Sequence, residues 1–235
     1  MGYIGSRLYK KLIQAGHEVI GIDLKGGKNI IEELYEFKDG SFLDKYYNFK
    51  PEYIFHMACW PRIGFSIEKP VQTMQNNVMI GSVLLNFARK CPSVKRVIYS
   101  SSSSIKGNGQ GPTNPYSLQK LVTEMECKIY SKIYNLDTVA LRYFNVYSED
   151  QTPTGTYTTA VANWMDYIKR GKIPFITGNG EQRRDMAHLE DVVSANIAAM
   201  QRSTNFNGAT YDIGTGSNIS LNKIKDKSIF RRKII

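Results

Sequence analysis

A chain of 235 residues is long enough to bury a hydrophobic core, and its length predicts one or two domains. The net charge of +10 is carried by lysines and arginines spread along the sequence, which favours a small anionic substrate over nucleic acid as the partner. No apolar run approaches the ~18 to 20 residues that cross a bilayer, and three cysteines without C-x-x-C spacing predict reduced thiols in a cytoplasmic protein with no metal site and no membrane partner.

The first stretch of the chain has the pattern of a nucleotide-binding turn. Gly2 to Leu8 predicts a glycine turn that enters an amphipathic helix ending at Ala15-Gly16. Such a helix start offers backbone N–H groups to a phosphate, and glycine lets the phosphate approach closely. His17 to Asp23 predicts a buried strand that ends on a carboxylate, which can bind an adenosine ribose and repel a 2'-phosphate. This arrangement favours NAD over NADP, with a plain turn residue as the alternative for Asp23.

Strands and helices alternate along the rest of the chain. The predicted elements are a strand over Pro51–Cys59, a helix from Asn76 to Lys90, a strand over Arg96–Ser102, a loop over Gly107–Pro115, a helix from Tyr116, a strand over Leu136–Asn145, a helix between Gly155 and Gly171, a short strand over Lys172–Thr177, a helix starting at Leu189–Asn196, and a strand and turn over Tyr211–Leu221. This alternation predicts an α/β fold with a doubly wound parallel sheet, and a smaller lobe built from insertions after Tyr147 and Gln201.

The stretch with the most chemical content is Tyr116-Ser117-Leu118-Gln119-Lys120, which follows the serine run Ser100–Ser104. On a helix, Lys120 lies one turn beyond Tyr116 on the same face. A nearby ammonium favours the phenolate and brings a phenol of pKa ~10 closer to the pH at which a general base is effective. The pattern Y-x-x-x-K alone is a weak signal, and a solvated helix face is its alternative interpretation.

These segments together resemble the extended short-chain dehydrogenase/reductase family, in its NAD-dependent sugar-nucleotide epimerase/dehydratase branch, from Met1 to about Asn222. Further motifs that carry the resemblance are H-M-A-C at 56–59, L-R-Y-F-N at 141–145 and G-N-G-E-Q-R-R-D at 178–185. The resemblance implies a Rossmann sheet that lacks the family's first strand and a substrate lobe that is incomplete at its end. It also implies an NAD-binding Rossmann domain over 1–147, to which 188–202 returns, and a substrate-binding lobe over 148–235.

The resemblance assigns site residues by position. Catalytic roles fall to Tyr116, Lys120 and Ser102, with Ser101 and Ser103 remaining possible in place of Ser102. The cofactor-binding positions are Gly2, Ile4, Gly5, Asp23, Ser41, Phe42, Met57, Ala58, Asn77, Tyr116, Lys120 and Phe144. The substrate-binding positions are Ser102, Tyr116, Asn145 and Arg184. Asn77 has an exposed helix asparagine as its alternative, and Arg184 a surface ion pair.

The implied activity is NAD-dependent epimerisation of a nucleotide-diphospho-sugar at C4 through a transient 4-keto sugar. The implied substrates are of the UDP-glucose/UDP-galactose or UDP-N-acetylhexosamine type. The alternatives are a sister reductase, decarboxylase or dehydratase, or a non-catalytic truncated remnant. Serines stand where the dehydratases carry a Thr-Asp-Glu triplet, which argues against 4,6-dehydration. The family also implies a homodimer through a helix bundle that includes the Tyr116 helix.

Overall fold

The computed structural model describes residues 2–23, 43, 46–61, 63–151, 160–176 and 178–230. The chain divides into two compact units, Met1–Arg142 with Val193–Asp212 (the larger unit) and Tyr143–Val192 with Ile213–Ile235 (the smaller unit). No helix in the described ranges is both long and apolar enough to span a membrane.

The helices and strands alternate in chain order. The helical elements are α1 (Tyr3–Gln14), α2 (Ile63–Glu68), α3 (Pro70–Met74), a π-helical turn (Gln75–Met79), α4 (Ile80–Lys90), a 3-10 segment (Ser103–Gly109), α5 (Pro115–Tyr134), α6 (Ala160–Lys169), α7 (Leu189–Gln201) and α8 (Leu221–Phe230). The strands are β1 (Tyr53–His56), β2 (Arg96–Ser102), β3 (Thr138–Tyr143), β4 (Asn145–Tyr147), β5 (Arg183–Arg184), β6 (Met186–His188), β7 (Ala209–Ile213) and β8 (Ile219–Ser220).

The main sheet has four parallel strands in the order β1-β2-β3-β7. In the β1–β2 pair, Tyr53 lies opposite Arg96 and His56 opposite Tyr99. Side chains of β2 and β3 are buried on both faces, as expected for parallel strands covered by helices. The core beside them is formed by Leu85, Ala88, Val97, Tyr99, Cys127, Leu136 and Ala140, which belong to β2, β3, α4, α5 and the turn before β3. The predicted α/β fold with a parallel sheet is therefore confirmed.

The start of helix α5 is fixed by its sequence. The side chain of Asn114 accepts a hydrogen bond from the backbone N–H of Ser117 at 3.0 Å, and Pro115 occupies the first helical position. The backbone N–H of Tyr116 donates to Ser66 Oγ at 3.1 Å, which ties α5 to α2. These contacts hold the first turn of α5, and with it Tyr116, against the larger unit.

The smaller unit contains two short strand pairs. Strand β4 pairs with β6 in parallel, with Asn145 opposite Met186, and β5 pairs with β8 in antiparallel fashion, with Arg183 opposite Ser220. Helix α6 packs against α8. The buried side chain of Asp185 lies between β5 and β6 in sequence, so its neighbours on both sides are held in strands.

Four sequence predictions of local structure are wrong. Residues 17–23 form no strand, because β1 is the outer strand of the described sheet and none of its strands pairs with them; Ile20 is 44% exposed. Residues 172–176 form no strand either, since Pro174 lacks an N–H and Ile173 and Phe175 face solvent.

The other two errors concern element boundaries. The helix containing Asn77 begins at Pro70, and Asn77 lies in its π-helical turn. The strand predicted over Leu136–Asn145 is divided at Phe144, because the N–H of Phe144 bonds to Ile213 O and that of Asn145 to Asp185 O.

Candidate active site

Tyr116 and Lys120 lie in the first turns of α5 and are 8% and 3% exposed, so the solvated-face interpretation of this pattern is wrong. Lys120 Nζ donates to the carbonyl oxygen of Ser100 at 2.6 Å and lies 5.0 Å from the centroid of the Tyr99 ring. A carbonyl and an aromatic face thus replace part of the water that a buried ammonium loses.

The phenol of Tyr116 has a raised pKa in this chain. Burial is the largest cause, the neighbouring Cys59 adds to it, and a hydrogen bond with Ser102 opposes it. The sequence predicts that Lys120 lowers this pKa. That lowering is absent here because desolvation dominates and the Lys120 ammonium is directed to the Ser100 carbonyl.

Three consecutive serines at the end of β2 have three different partners. Ser100 Oγ donates to the carbonyl oxygen of His56 at 2.9 Å, and Ser101 Oγ donates to Glu124 Oε2 at 2.7 Å. Ser102 Oγ donates to Ser104 Oγ at 3.0 Å, and Ser102 is the serine whose hydrogen bonding opposes the rise in the Tyr116 pKa. Among the candidate serines, Ser102 is therefore the one brought to the phenol, while the Ser101 hydroxyl is directed to a carboxylate. The catalytic role of Ser102 stays a prediction.

Asn77 connects the segment after β1 to α5. Its Oδ1 accepts from the N–H of Trp60 at 2.8 Å, and its Nδ2 donates to Gln119 Oε1 at 2.8 Å. The residue is 3% exposed, so the alternative interpretation of an exposed asparagine is wrong. Its neighbour Asn76 is also buried and donates to Asn77 Oδ1 at 2.8 Å. The wider π-helical turn lets two consecutive asparagines face inward, as such turns do at functional sites.

The start of α1 fits a pyrophosphate. Gly2 caps the helix without a side chain, and the first turn contains no acidic residue that would repel a phosphate. A Cβ placed on Gly2 would meet no atom within 4 Å, and one on Gly5 would lie 4.0 Å from Met57 Cβ. Among the described residues, nothing crowds a Cβ added to either glycine, and Ile4 lies half-buried between them. The residues present therefore fit a dinucleotide whose phosphates contact this turn.

The remaining predicted cofactor positions are dispersed. Met57 and Ala58 follow β1, with Met57 half-buried and Ala58 exposed. Asp23 is half-buried beyond α1 and lies outside any strand. Ser41 and Phe42 lie outside the described residues.

In the smaller unit, the predicted substrate residues surround Asp185. Asn145 Nδ2 donates to the Asp185 carbonyl oxygen at 2.8 Å. Arg184 is exposed, and its Nη1 donates to the Arg183 carbonyl oxygen at 2.8 Å, which differs from the surface ion pair offered as its alternative. The Asp185 carboxylate accepts from the backbone N–H groups of Thr215 at 2.8 Å and Gly216 at 2.9 Å.

The turn over 214–216 packs closely beside Asp185. A Cβ on Gly214 would lie 2.7 Å from Asp185 Oδ2 and 3.0 Å from Phe144 Cγ, so only glycine fits. Sequence reasoning missed the roles of Asp185, Gln119 and Glu124. Helical spacing could have identified Gln119 and Glu124. They lie three and eight residues after Tyr116, on the face of the helix that carries Lys120.

Comparison with known proteins defines the class of protein. The model of the NAD dependent epimerase/dehydratase family matches residues 1–214. The chain belongs to this family, which confirms the resemblance seen in the sequence and the prediction of NAD as the cofactor.

Individual relatives narrow the class. A putative UDP-glucose 4-epimerase of Methanocaldococcus jannaschii is 33% identical over 242 residues, covering 96% of this chain and 78% of that protein. The solved UDP-glucose 4-epimerase of Thermotoga maritima with UDP-glucose has a TM-score of 0.84 at 30% identity, covering 97% and 78% of the two chains. The UDP-N-acetylglucosamine 4-epimerase of Methanobrevibacter ruminantium has a TM-score of 0.79 at 27% identity, covering 96% and 77%. The prediction of an enzyme of the epimerase type is confirmed at the level of the family, which also includes decarboxylases.

Proposed function

We propose that this chain is an NAD-dependent 4-epimerase of a nucleotide-diphospho-sugar, with UDP-glucose/UDP-galactose or a UDP-N-acetylhexosamine pair as substrates. The observation that carries the proposal is that Tyr116 and Lys120 are buried one turn apart on α5, with Lys120 bonded to the Ser100 carbonyl on β2 and Ser102 of the same strand acting on the Tyr116 pKa. A phenol, a hydroxyl and an ammonium at one point are the groups needed to move a proton from a sugar hydroxyl.

In this mechanism, Tyr116 Oη accepts the proton of the sugar C4 hydroxyl and later returns it to the same oxygen. NAD, when bound, supplies the acceptor and donor of the C4 hydride and ends the cycle unchanged. Ser102 Oγ, which donates its proton to Ser104 Oγ in this structure, would turn that proton to the charge that develops on O4 when a sugar is bound. Lys120 contributes a buried positive charge one helical turn away; burial outweighs it in this structure, and together with the cationic nicotinamide of bound NAD it would favour proton loss from the phenol.

The other positions bind and orient. Gly2, Ile4 and Gly5 would hold the pyrophosphate at the start of α1, Asp23 the adenosine ribose, and Lys120 the second ribose. Met57, Ala58 and Phe144 would flank the cofactor, with Ser41 and Phe42 near its adenine, and Asn77 would hold the Trp60 backbone beside it. In this assignment residues 1–147 and 188–202 form the cofactor domain, and 148–235 is otherwise mainly the substrate-binding lobe.

Arg184 and Asn145 would bind the diphosphate of the substrate. A guanidinium offers a planar set of donors that matches phosphate oxygens, and the exposure of Arg184 leaves room for such a ligand. Asn145 is oriented by its bond to the Asp185 carbonyl, which uses one N–H of its side-chain amide and leaves the second N–H to donate to a phosphate oxygen.

We also infer a cytoplasmic homodimer. Leu118, Met125, Ile129 and Ile133 are 46% to 65% exposed and follow one another along one face of α5. An apolar stripe of this kind is typical of a helix that packs against a partner, here a second copy of the chain. The three free cysteines support a reducing compartment.

The test starts with the purified 235-residue chain. A denatured sample should release NAD into the supernatant, and the native protein should interconvert UDP-sugars that differ at C4 without net change in NADH absorbance. Net consumption of NAD(H), or release of carbon dioxide or water, would assign a sister activity instead. A chain that retains no NAD and does not unfold cooperatively with added NAD would be the non-catalytic remnant.

A further inference from the structure

A network of polar side chains begins beside the proposed catalytic serine. Ser101 Oγ donates to Glu124 Oε2 at 2.7 Å, and the same carboxylate accepts from Arg142 Nε at 3.0 Å and Nη2 at 2.5 Å. Glu124 is 7% exposed and lies on α5, one turn beyond Lys120. The carboxylate therefore joins strand β2, helix α5 and strand β3 at one buried point.

The network continues to the other side of Ser102. Arg142 Nη1 lies 3.9 Å from Asp212 Oδ1 on β7, and Asp212 forms an ion pair with Lys106. Lys106 belongs to the 3-10 segment that begins directly after Ser102. The network is thus attached to this segment at two residues, Ser101 and Lys106, and the proposed catalytic Ser102 lies between these two attachments.

The two attachments differ in strength. The side chains of Glu124 and Arg142 are 8% and 25% exposed, whereas those of Lys106 and Asp212 are 44% and 43% exposed. Exposed ion pairs are screened by solvent and contribute little, while a bidentate arginine–carboxylate pair shielded from water holds its geometry. The attachment through Glu124 is therefore the stronger one.

We propose that Glu124 is a positioning residue of the epimerase reaction, which holds Ser101 and thereby sets the distance between the Ser102 hydroxyl and Tyr116. The inference rests on the proposed function for the roles of Ser102 and Tyr116. It deepens that function because Glu124 bonds to Ser101 and takes no part in the proposed contacts with substrate or cofactor.

The geometry of β2 explains why this contact matters. Ser101 and Ser102 are consecutive strand residues whose side chains point to opposite faces, so a shift of one backbone unit moves both hydroxyls. Beyond them the chain enters a tight turn, with Gly107 and Asn108 at φ of 47° and 54°. A displacement of about 1 Å at a reacting group can cost ~100-fold in rate. Fixing Ser101 against α5 thus fixes Ser102 relative to Tyr116 on the same helix.

The test uses a matched pair of substitutions on α5. Glu124→Gln keeps the size of the side chain but removes the charge that pairs with Arg142. Glu126→Gln is the control, because Glu126 lies on the same helix and accepts a bond from Ser82 Oγ at 2.5 Å outside the network. We expect Glu124→Gln to lower kcat by about 10- to 100-fold with KM within about twofold of the parent, and Glu126→Gln to leave both within about twofold.

Ser101→Ala provides the second variant and remains informative where Glu124→Gln does not fold. It should show a similar loss of kcat, and the double variant should be no slower than the slower single one, because both changes break the same link. Additive losses, a rise in KM without a fall in kcat, or an equal effect of Glu126→Gln would overturn the proposal.

A readout without turnover separates this inference from the proposed function. The ring carbon resonance of Tyr116 in ¹³C-tyrosine-labelled protein, assigned through Tyr116→Phe, should shift in Glu124→Gln and Ser101→Ala and stay in place in Glu126→Gln. If the parent chain has no epimerase activity but these shifts occur, the proposed function fails while the positioning role stands. If the Tyr116 resonance stays in place in both Glu124→Gln and Ser101→Ala, the positioning role of Glu124 is wrong even when the enzyme is active.

Discussion

The two units arrange their proposed functional side chains in opposite ways. In the larger unit, Tyr116, Lys120 and Asn77 are all below 9% exposed, and the last two are bound by groups of the protein. In the smaller unit, Arg184 is exposed, and the buried residue beside it, Asp185, bonds mainly to backbone N–H groups. The arrangement in the larger unit fixes the positions of reacting atoms. The arrangement in the smaller unit leaves a charged side chain exposed beside a buried, hydrogen-bonded residue.

This difference separates chemistry from binding. Buried groups held by several bonds cannot adjust when one is changed, so substitutions there should affect turnover and often stability. An exposed arginine contributes neither to the core nor to the reacting atoms, so its loss should weaken binding alone. The following substitutions test that separation, from the largest expected effect to the smallest.

The strongest test of the larger unit is Tyr116→Phe. Loss of the proposed general base should lower kcat by about 10² to 10⁴-fold while NAD stays bound, measured by UDP-sugar turnover and by NAD released on denaturation. Tyr130→Phe is the control, because Tyr130 lies on the same helix and packs against the core away from Ser102. Substantial residual turnover in Tyr116→Phe would remove the phenol from the mechanism.

Arg184→Ala tests the smaller unit. Loss of a charged hydrogen-bond donor should raise KM for the UDP-sugar by about 10- to 100-fold and change kcat by less than about threefold. Its melting temperature should match the parent because the side chain is exposed. Arg170→Ala removes another exposed arginine, paired with Asp166, and should leave KM unchanged. A fall in kcat with constant KM in Arg184→Ala would contradict the separation of binding from chemistry.

Acid stability tests the buried character of the larger unit at His56. The residue is 2% exposed, neither ring nitrogen has a hydrogen-bond partner in the described ranges, and burial, with help from the Lys120 charge, lowers its pKa from 6.5 to about 3. In this pH range His56 is protonated in the unfolded chain but neutral in the native protein. The free energy of unfolding therefore decreases as the pH falls from about 6.5 towards 3.

The size of this loss follows from the same shift. Between pH 7 and pH 5, His56 alone should reduce the free energy of unfolding by about 2 kcal/mol. His56→Phe keeps the ring beside Tyr99 and removes the titration, so the difference between urea unfolding at the two pH values should shrink by that amount. An unchanged difference would show that His56 is protonated or solvated in the native protein.

Gly5→Ala should have the smallest effect on stability. Here the change is expected to increase stability while weakening the binding of NAD. A Cβ at this helical position meets only ordinary contacts, so the substitution should stabilise the chain without NAD by about 0.5–1 kcal/mol. It should nevertheless reduce the NAD recovered from the purified protein, because the methyl group occupies the space in front of the helix start.

Gly81→Ala is the contrasting control for Gly5→Ala. A Cβ on Gly81 would lie 2.7 Å from Thr123 Cγ2, so this substitution should destabilise the protein by about 1–3 kcal/mol. Thermal unfolding with and without NAD measures both variants. Equal NAD retention by Gly5→Ala and the parent would place the phosphates elsewhere.

Local patterns in the sequence were sufficient for part of the fold and site. Strand β2 matches its predicted range, and Tyr116 and Lys120 share a helix face because helical spacing alone decides it. Residues 17–23 were predicted wrongly because an extended segment becomes a strand only when a neighbour pairs with it. Whether a neighbour is present is a property of the sheet, which no local pattern reports.

The parts of the site that the sequence missed depend on distant residues. The bond from Ser101 to Glu124 spans 23 positions and that from Asn145 to Asp185 spans 40. Helical spacing was enough to place Glu124 on the Lys120 face, a step the sequence analysis did not take, but it could not have supplied the partner of Glu124 on β2. The raised pKa of Tyr116 is likewise a consequence of burial by the whole larger unit.

The π-helical turn at Gln75–Met79 has a consequence for any change in chain length at this site. Such a turn holds one residue more than a regular α-helical turn, and each residue of an α-helix advances the side-chain direction by ~100°. Removal of one residue between Gln75 and Met79 would restore a regular helix and rotate Pro70–Met74 relative to α4. Asn77 would then leave Trp60 and Gln119, although every amino acid outside the deletion is unchanged. This short segment is therefore sensitive to chain length in a way that the polar character of its side chains does not reveal.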